Sequence, residues 1–185
     1  MANAVTLARI ALILPFALVF LANAEWNMRA AFVVFAIAAA SDFLDGWIAR
    51  ARGEVSALGA ALDPIADKLL IAAALILLLR NGVIAGAGVF AVIVIILREI
   101  FVSGLREAVA GRGDALAVTG IAKWKTAAQL IAAGLLLASA NNGIVGEALR
   151  PLASAALWFA AILTLWTGLD YARRAARLLK SEASP

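Results

Sequence analysis

Four aspartates, Asp42, Asp45, Asp63 and Asp67, interrupt two long apolar segments that otherwise read as membrane-spanning helices. An ionised carboxylate left unpaired in a low-dielectric medium costs several kcal/mol or more, so acids in such places imply a partner. The chain is 65% hydrophobic with a mean hydropathy of +0.99, well beyond a soluble domain. It reads as an all-α integral membrane protein. Four acids in one short stretch point to a bound cation.

Spacing sharpens this expectation. Asp42 and Asp45 stand three apart and Asp63 and Asp67 four apart, so on helices each pair shares a face. Gly53 and Ser56 mark a turn between the pairs, with Ser56 as the N-cap of the second helix. If the helices end near Arg52 and restart near Ser56, a rise of about 1.5 Å per residue puts Asp45 and Asp63 both roughly 10 Å from the turn. Asp42 and Asp67 then lie at about 15 Å, so the acids match in depth. Gly46 and Gly59 fall on or beside the acidic faces and let a bulky ligand approach the backbone. Pro64 removes a backbone donor and is placed to bend its helix.

Cysteine and histidine are both absent, which removes disulfides, thiolate zinc sites and every catalytic triad built on those side chains. A metal must therefore be held by oxygen. This favours magnesium or manganese, with calcium next, over zinc, copper or iron. The net charge of +4 fits membrane topology and anionic lipid or substrate better than nucleic acid.

Taken in order, the chain reads as six spans within a single domain covering 1–185. The first covers about 4–22 with Pro15 inside it, which a membrane helix tolerates; the alternative is a signal peptide, since Ala22-Asn23-Ala24 mimics a cleavage site. The next three cover about 28–50, 57–79 and 83–105, the last with Arg98 and Glu99 embedded near its end. A loop from Gly111 to Gly120 leads to Lys123 and Lys125 at the mouth of the fifth, which ends near Ala140. The sixth follows Pro151 to about Tyr171, and Arg173, Arg174, Arg177 and Lys180 then form a basic amphipathic tail. Arg29, Arg80 and Arg150 fall on one side, and the other thirteen of the sixteen Lys and Arg fall toward the opposite one. The positive-inside rule then makes both termini cytoplasmic and opens the acidic stretch to the cytoplasm.

The stretch Asp42-x-x-Asp45-Gly46-x-x-Ala49-Arg50, eight residues, Gly59, three, Asp63, three, Asp67 resembles the full signature of the CDP-alcohol phosphotransferase family, with eight fixed positions matched over twenty-six residues. Outside it, Leu97-Arg98-Glu99-Ile100, Leu105-Arg106-Glu107, Lys123-x-Lys125-Thr126-x-x-Gln129 and Asn3-x-x-Thr6-x-x-Arg9 resemble the branch whose acceptor is glycerol 3-phosphate. The proline common before the asparagine in that branch is Ala2 here.

The resemblance implies two divalent ions, Mg2+ or Mn2+, held among Asp42, Asp45, Asp63 and Asp67, with Asp67 also the general base. It assigns Gly46, Ala49, Arg50 and Gly59 to the CDP part of the donor, with Asn3 and Thr6 closing that site. Arg98 is favoured by its depth for binding the acceptor phosphate, and Arg106, Lys123 and Lys125 come next, because a dianion needs converging cations. The implied reaction transfers the phosphatidyl group of CDP-diacylglycerol to glycerol 3-phosphate and releases CMP, in a homodimer of the bacterial inner membrane.

Rival readings remain on sequence alone. Within the family the acceptor can instead be inositol phosphate, serine or phosphatidylglycerol. Outside it, carboxylates on facing membrane helices also serve a cation- or proton-coupled transporter. Without a function the acids would be buried ion pairs with Arg50, Lys68 or Arg98, and Arg98, Arg106, Arg112, Lys123 and Lys125 would be ordinary positive-inside charge.

Overall fold

The computed structural model describes the backbone of residues 2–22, 26–52, 57–110 and 120–181, and their side chains except those of 2–9, 42–52, 57–64, 122–123 and 179–181. These residues are all helical apart from turns. The order is α1 (Ala2–Leu21), α2 (Asn27–Arg52), α3 (Ala57–Arg80), α4 (Gly88–Ala110), α5 (Gly120–Ala138) and α6 (Arg150–Ser181), with one 3₁₀ turn, Glu147–Leu149, leading into α6. Alanine and leucine dominate these segments and favour helix by intrinsic propensity. Among the described residues, α4 and the stretch from Glu147 to Leu178 are long and apolar enough to cross a membrane.

The expected boundaries hold closely for the first three helices. α1 runs through Pro15, and α3 runs through Pro64. The turn residues Gly53 and Ser56 lie outside the described residues. Because α2 ends at Arg52 and α3 begins at Ala57, Asp45 and Asp63 keep matching positions, each about 10 Å along its helix from the turn.

Three boundaries differ from the sequence expectation, one of them the end of α4, which lies at Ala110 rather than about 105. α4 starts at Gly88, later than expected, because the chain first makes a helix stop. Gly82 sits at φ 69 after α3. Its N–H donates to Leu79 O at 3.0 Å, and that of Val83 donates to Leu78 O at 3.0 Å. These are the paired bonds of a glycine-terminated helix, closed by the buried side chains of Leu78 and Val83. A second left-handed glycine, Gly86 at φ 54, completes the turn. At the other end of the chain, the basic tail is no separate element: α6 continues unbroken to Ser181, and Arg174 pairs with Asp170 at 2.9 Å one turn back. Pro151 sits in the first turn of α6, where its missing N–H leaves no bond unmade.

α4 and α5 both pack along α6, while α1 packs on α2 and α3. The main core is apolar: Phe16, Phe20, Phe35, Leu75, Leu78, Ile95, Leu136 and Leu157 are all buried in it. Phe16 meets Phe20 edge-on with centroids 5.6 Å apart. Leu18, Ile37, Ile76, Phe101, Ile131, Phe159 and Trp166 instead face outward, as side chains do when the surroundings are hydrocarbon.

Successive helices reverse direction, and this gathers the polar residues. Asp42 and Asp45 come late in α2, Asp67 and Lys68 early in α3, Arg98 and Glu99 late in α4, Lys125 and Gln129 early in α5, and Thr164 and Thr167 beyond the middle of α6. All therefore belong to one end of the bundle.

Candidate active site

At that end α4 turns two consecutive charged residues, Arg98 and Glu99, into the protein, where both are buried. The Glu99 Oε1 atom accepts from three donors: Lys125 Nζ at 2.5 Å, Arg98 Nη1 at 3.2 Å and Gln129 Nε2 at 3.2 Å. Lys125 and Gln129 are four apart on α5 and so present to the same face. Charged hydrogen bonds of this kind offset the desolvation that burial imposes on each ion.

α6 supplies the floor. Arg98 Nη2 donates to Thr167 Oγ1 at 3.0 Å, and Gln129 Nε2 also donates to Thr164 Oγ1 at 2.8 Å. The threonines lie three apart on one face of α6. The Arg98 guanidinium also stands over the Tyr171 ring, 5.8 Å from its centroid. Its aliphatic stem crosses Gly168 so closely that a Cβ there would meet Arg98 Cγ at 2.7 Å. Only glycine leaves that space. Two polar atoms of the cluster, Arg98 Nε and Gln129 Oε1, are buried with no hydrogen-bond partner among the described residues.

α3 adds a third cation. Lys68 Nζ donates to Ser103 Oγ at 2.5 Å, and Ser103 donates to the Glu99 backbone oxygen at 2.6 Å. Lys68 also lies within electrostatic reach of Glu99, Arg106, Arg98 and Asp67. Beside it a groove of about 520 Å³ opens between α3 and α4. Leu69, Ile71, Ile95 and Ile96 form its apolar wall, with Lys68, Glu99, Ser103 and Glu107 at the polar part.

The structure thus brings Arg98 and Lys125 together on one carboxylate, whereas Arg106, eight residues along α4 from Arg98, is exposed. Asp67 is half-buried next to Lys68 in α3. Asp42, Asp45, Gly46, Ala49 and Arg50 belong to α2, Gly59 and Asp63 to α3, Asn3 and Thr6 to α1, and Lys123 to α5; their side chains lie outside the described residues. Among the described residues alone no group of three or more metal-binding side chains forms, because three of the four aspartates are not among them.

Sequence reasoning passed over Glu99, Thr164, Thr167 and Gly168 as parts of this site. The Thr164–Thr167 spacing on an otherwise apolar helix was the available signal, since hydroxyls in a membrane span commonly seek a partner on a neighbouring helix.

A family model for CDP-alcohol phosphatidyltransferases matches residues 1–166. The chain belongs to that family. It is 40% identical over 181 residues to the CDP-diacylglycerol–glycerol-3-phosphate 3-phosphatidyltransferase of Bacillus subtilis, covering 91% of each chain. It is 39% identical to the Escherichia coli protein of the same name, covering 90% of this chain and 89% of that one. Among solved structures, the Mycobacterium tuberculosis phosphatidylinositol phosphate synthase with CDP-DAG bound superposes with a TM-score of 0.62 over 95% of this chain and 86% of that one, at 19% identity. That likeness establishes a shared fold.

Proposed function

We propose that this chain transfers the phosphatidyl group of CDP-diacylglycerol to sn-glycerol 3-phosphate, giving phosphatidylglycerophosphate and CMP. What carries the reading is the match, along about nine-tenths of their length, to relatives named for that reaction. The groove between α3 and α4, apolar along its wall, suits the acyl part of a lipid.

The donor set fits hard divalent ions. There is no histidine or cysteine, and α2 and α3 carry four carboxylates in matching positions, enough to neutralise two such charges. Asp42, Asp45, Asp63 and Asp67 would hold two ions, Mg2+ or Mn2+. When bound, these supply charge stabilisation to the pyrophosphate and to the departing CMP.

The protein's own groups do the rest. Arg50 grips the donor diphosphate, while Gly46, Ala49 and Gly59 leave room for the nucleotide and Asn3 and Thr6 close over it. Arg98 and Lys125, with Arg106 and Lys123 nearer the water, bind the acceptor phosphate. Asp67 takes the proton from an acceptor hydroxyl, whose oxygen attacks the phosphorus bearing diacylglycerol as the bond to CMP breaks. We further propose one domain with six spans, both termini and the site on the cytoplasmic side of a bacterial inner membrane, and assembly as a homodimer; the distribution of Lys and Arg supports the orientation.

The test is CMP release from CDP-diacylglycerol in liposomes with a panel of acceptors. Glycerol 3-phosphate should support release, and EDTA should abolish it until Mg2+ or Mn2+ is restored. Release with inositol phosphate, serine or phosphatidylglycerol but not with glycerol 3-phosphate would reject the acceptor, and release unaffected by EDTA would reject the ions.

A further inference from the structure

Glu99 poses a problem for a site that binds phosphate, because a carboxylate beside the binding cations repels the ligand they attract. Its geometry supplies the answer. Arg98 and Glu99 are neighbours on α4 and Lys125 comes from α5, so the Lys125 bond to Glu99 Oε1 joins the two helices on the same oxygen that Arg98 holds. Two like charges brought close inside a protein repel each other and turn apart unless an anion lies between them. Glu99 is that anion. Gln129 fixes the same oxygen from α5, and Thr164 fixes Gln129 from α6. One negative charge against Arg98 and Lys125 leaves the cluster positive, with Lys68 adding to it through Ser103.

On the opposite side, Arg98 reaches its place only because Gly168 has no side chain, since a Cβ would come within 2.7 Å of Cγ and 3.1 Å of Nε. Both constraints act on the same guanidinium. Resting on the acceptor reading above, we propose that Glu99 and Gly168 are positioning residues for the acceptor: Glu99 holds Arg98 and Lys125 as one cation pair, and Gly168 gives Arg98 its seat, so that a phosphate monoester dianion meets a preformed site.

The proposal predicts a sign that simple charge counting reverses. If Glu99 merely offset positive charge, Glu99→Gln would strengthen acceptor binding. If it positions the cations, the same isosteric change weakens it. In the full-length protein in liposomes, CMP release is measured with glycerol 3-phosphate and CDP-diacylglycerol varied separately. Glu99→Gln should raise the acceptor KM about tenfold or more and leave the donor KM within about twofold, with Glu99→Asp recovering part of the loss. Gly168→Ala changes no charge and should raise the acceptor KM in the same selective way.

An acceptor KM that falls or stays constant in Glu99→Gln overturns the proposal, as do acceptor and donor KM values that rise together. Should Glu99→Gln fail to accumulate as folded protein, Gly168→Ala decides, and an unchanged acceptor KM there overturns the proposal as well. The acceptor reading is judged separately on the unsubstituted protein. If that protein uses another phosphorylated alcohol, only the acceptor's identity changes and the same comparison is read with that alcohol. If it uses only alcohols without phosphate, the positioning role falls too.

Discussion

Arg98 and Arg150 lie at opposite ends of the bundle, and each is held by several partners of a different kind. Arg150 donates to the backbone oxygens of Val83 at 3.0 Å and Ser139 at 3.2 Å, and pairs at 3.6 Å with an exposed Glu147. It ties the α3–α4 turn to the α5–α6 connection. Arg29, on α2, reaches the same α5–α6 connection more weakly, at Gly143 O, 3.4 Å away. Among the described residues Arg98 bonds only to side chains, Glu99 and Thr167, and keeps Nε unpaired. An arginine whose donors end on main-chain carbonyls is fastening loops, whereas one grouped with a second cation on a shared carboxylate is prepared for an anion from outside.

That contrast predicts that substitutions at the two ends separate function from stability. The largest effect should come from Asp67, at the polar end of α3. Asp67→Asn keeps the shape but removes the base, so turnover should fall by about 10²- to 10⁴-fold while CDP-diacylglycerol binding stays measurable. Single-turnover CMP release and a donor-binding titration check it; retained turnover would remove Asp67 from that role. Arg98→Ala comes next. Losing a charged hydrogen-bond donor worth about 1.5–3 kcal/mol should raise the acceptor KM roughly ten- to a hundredfold and the donor KM far less. An equal rise in both would mean that the polar end is fastening the fold, as the other end does.

How much of this was visible in the sequence varies along the chain for a physical reason. The helices and the acid pairs were readable because apolar runs and i, i+3 or i, i+4 spacing are local properties. The late start of α4 was missed because Gly86 sits inside the apolar run that begins at Val83, and hydropathy alone does not register a left-handed glycine. Arg98 was picked out by its depth, and Lys125 as a further cation for a dianion. Their meeting on Glu99 was not, since it depends on how α4 and α5 lie against α6, and that is a property of the packed bundle. Gly168 was invisible for the same reason: small residues are common in membrane helices, and only the arginine crossing it sets this one apart.

The smallest effect on catalysis should come from Arg150, and it is the sharpest check on the contrast. Arg150 is part-buried, and its two bonds to carbonyls join segments that come from far apart in the chain. Truncation to alanine leaves Val83 O and Ser139 O without those donors. At net values typical of partly solvated hydrogen bonds, the loss should be about 1–3 kcal/mol in total. Arg150→Ala should therefore lower the thermal unfolding midpoint in detergent while both KM values stay within about twofold of the unsubstituted protein. A selective rise in acceptor KM would couple the two ends of the bundle through the long helices α4 and α6, and the division between a fastening arginine and a binding one would no longer hold.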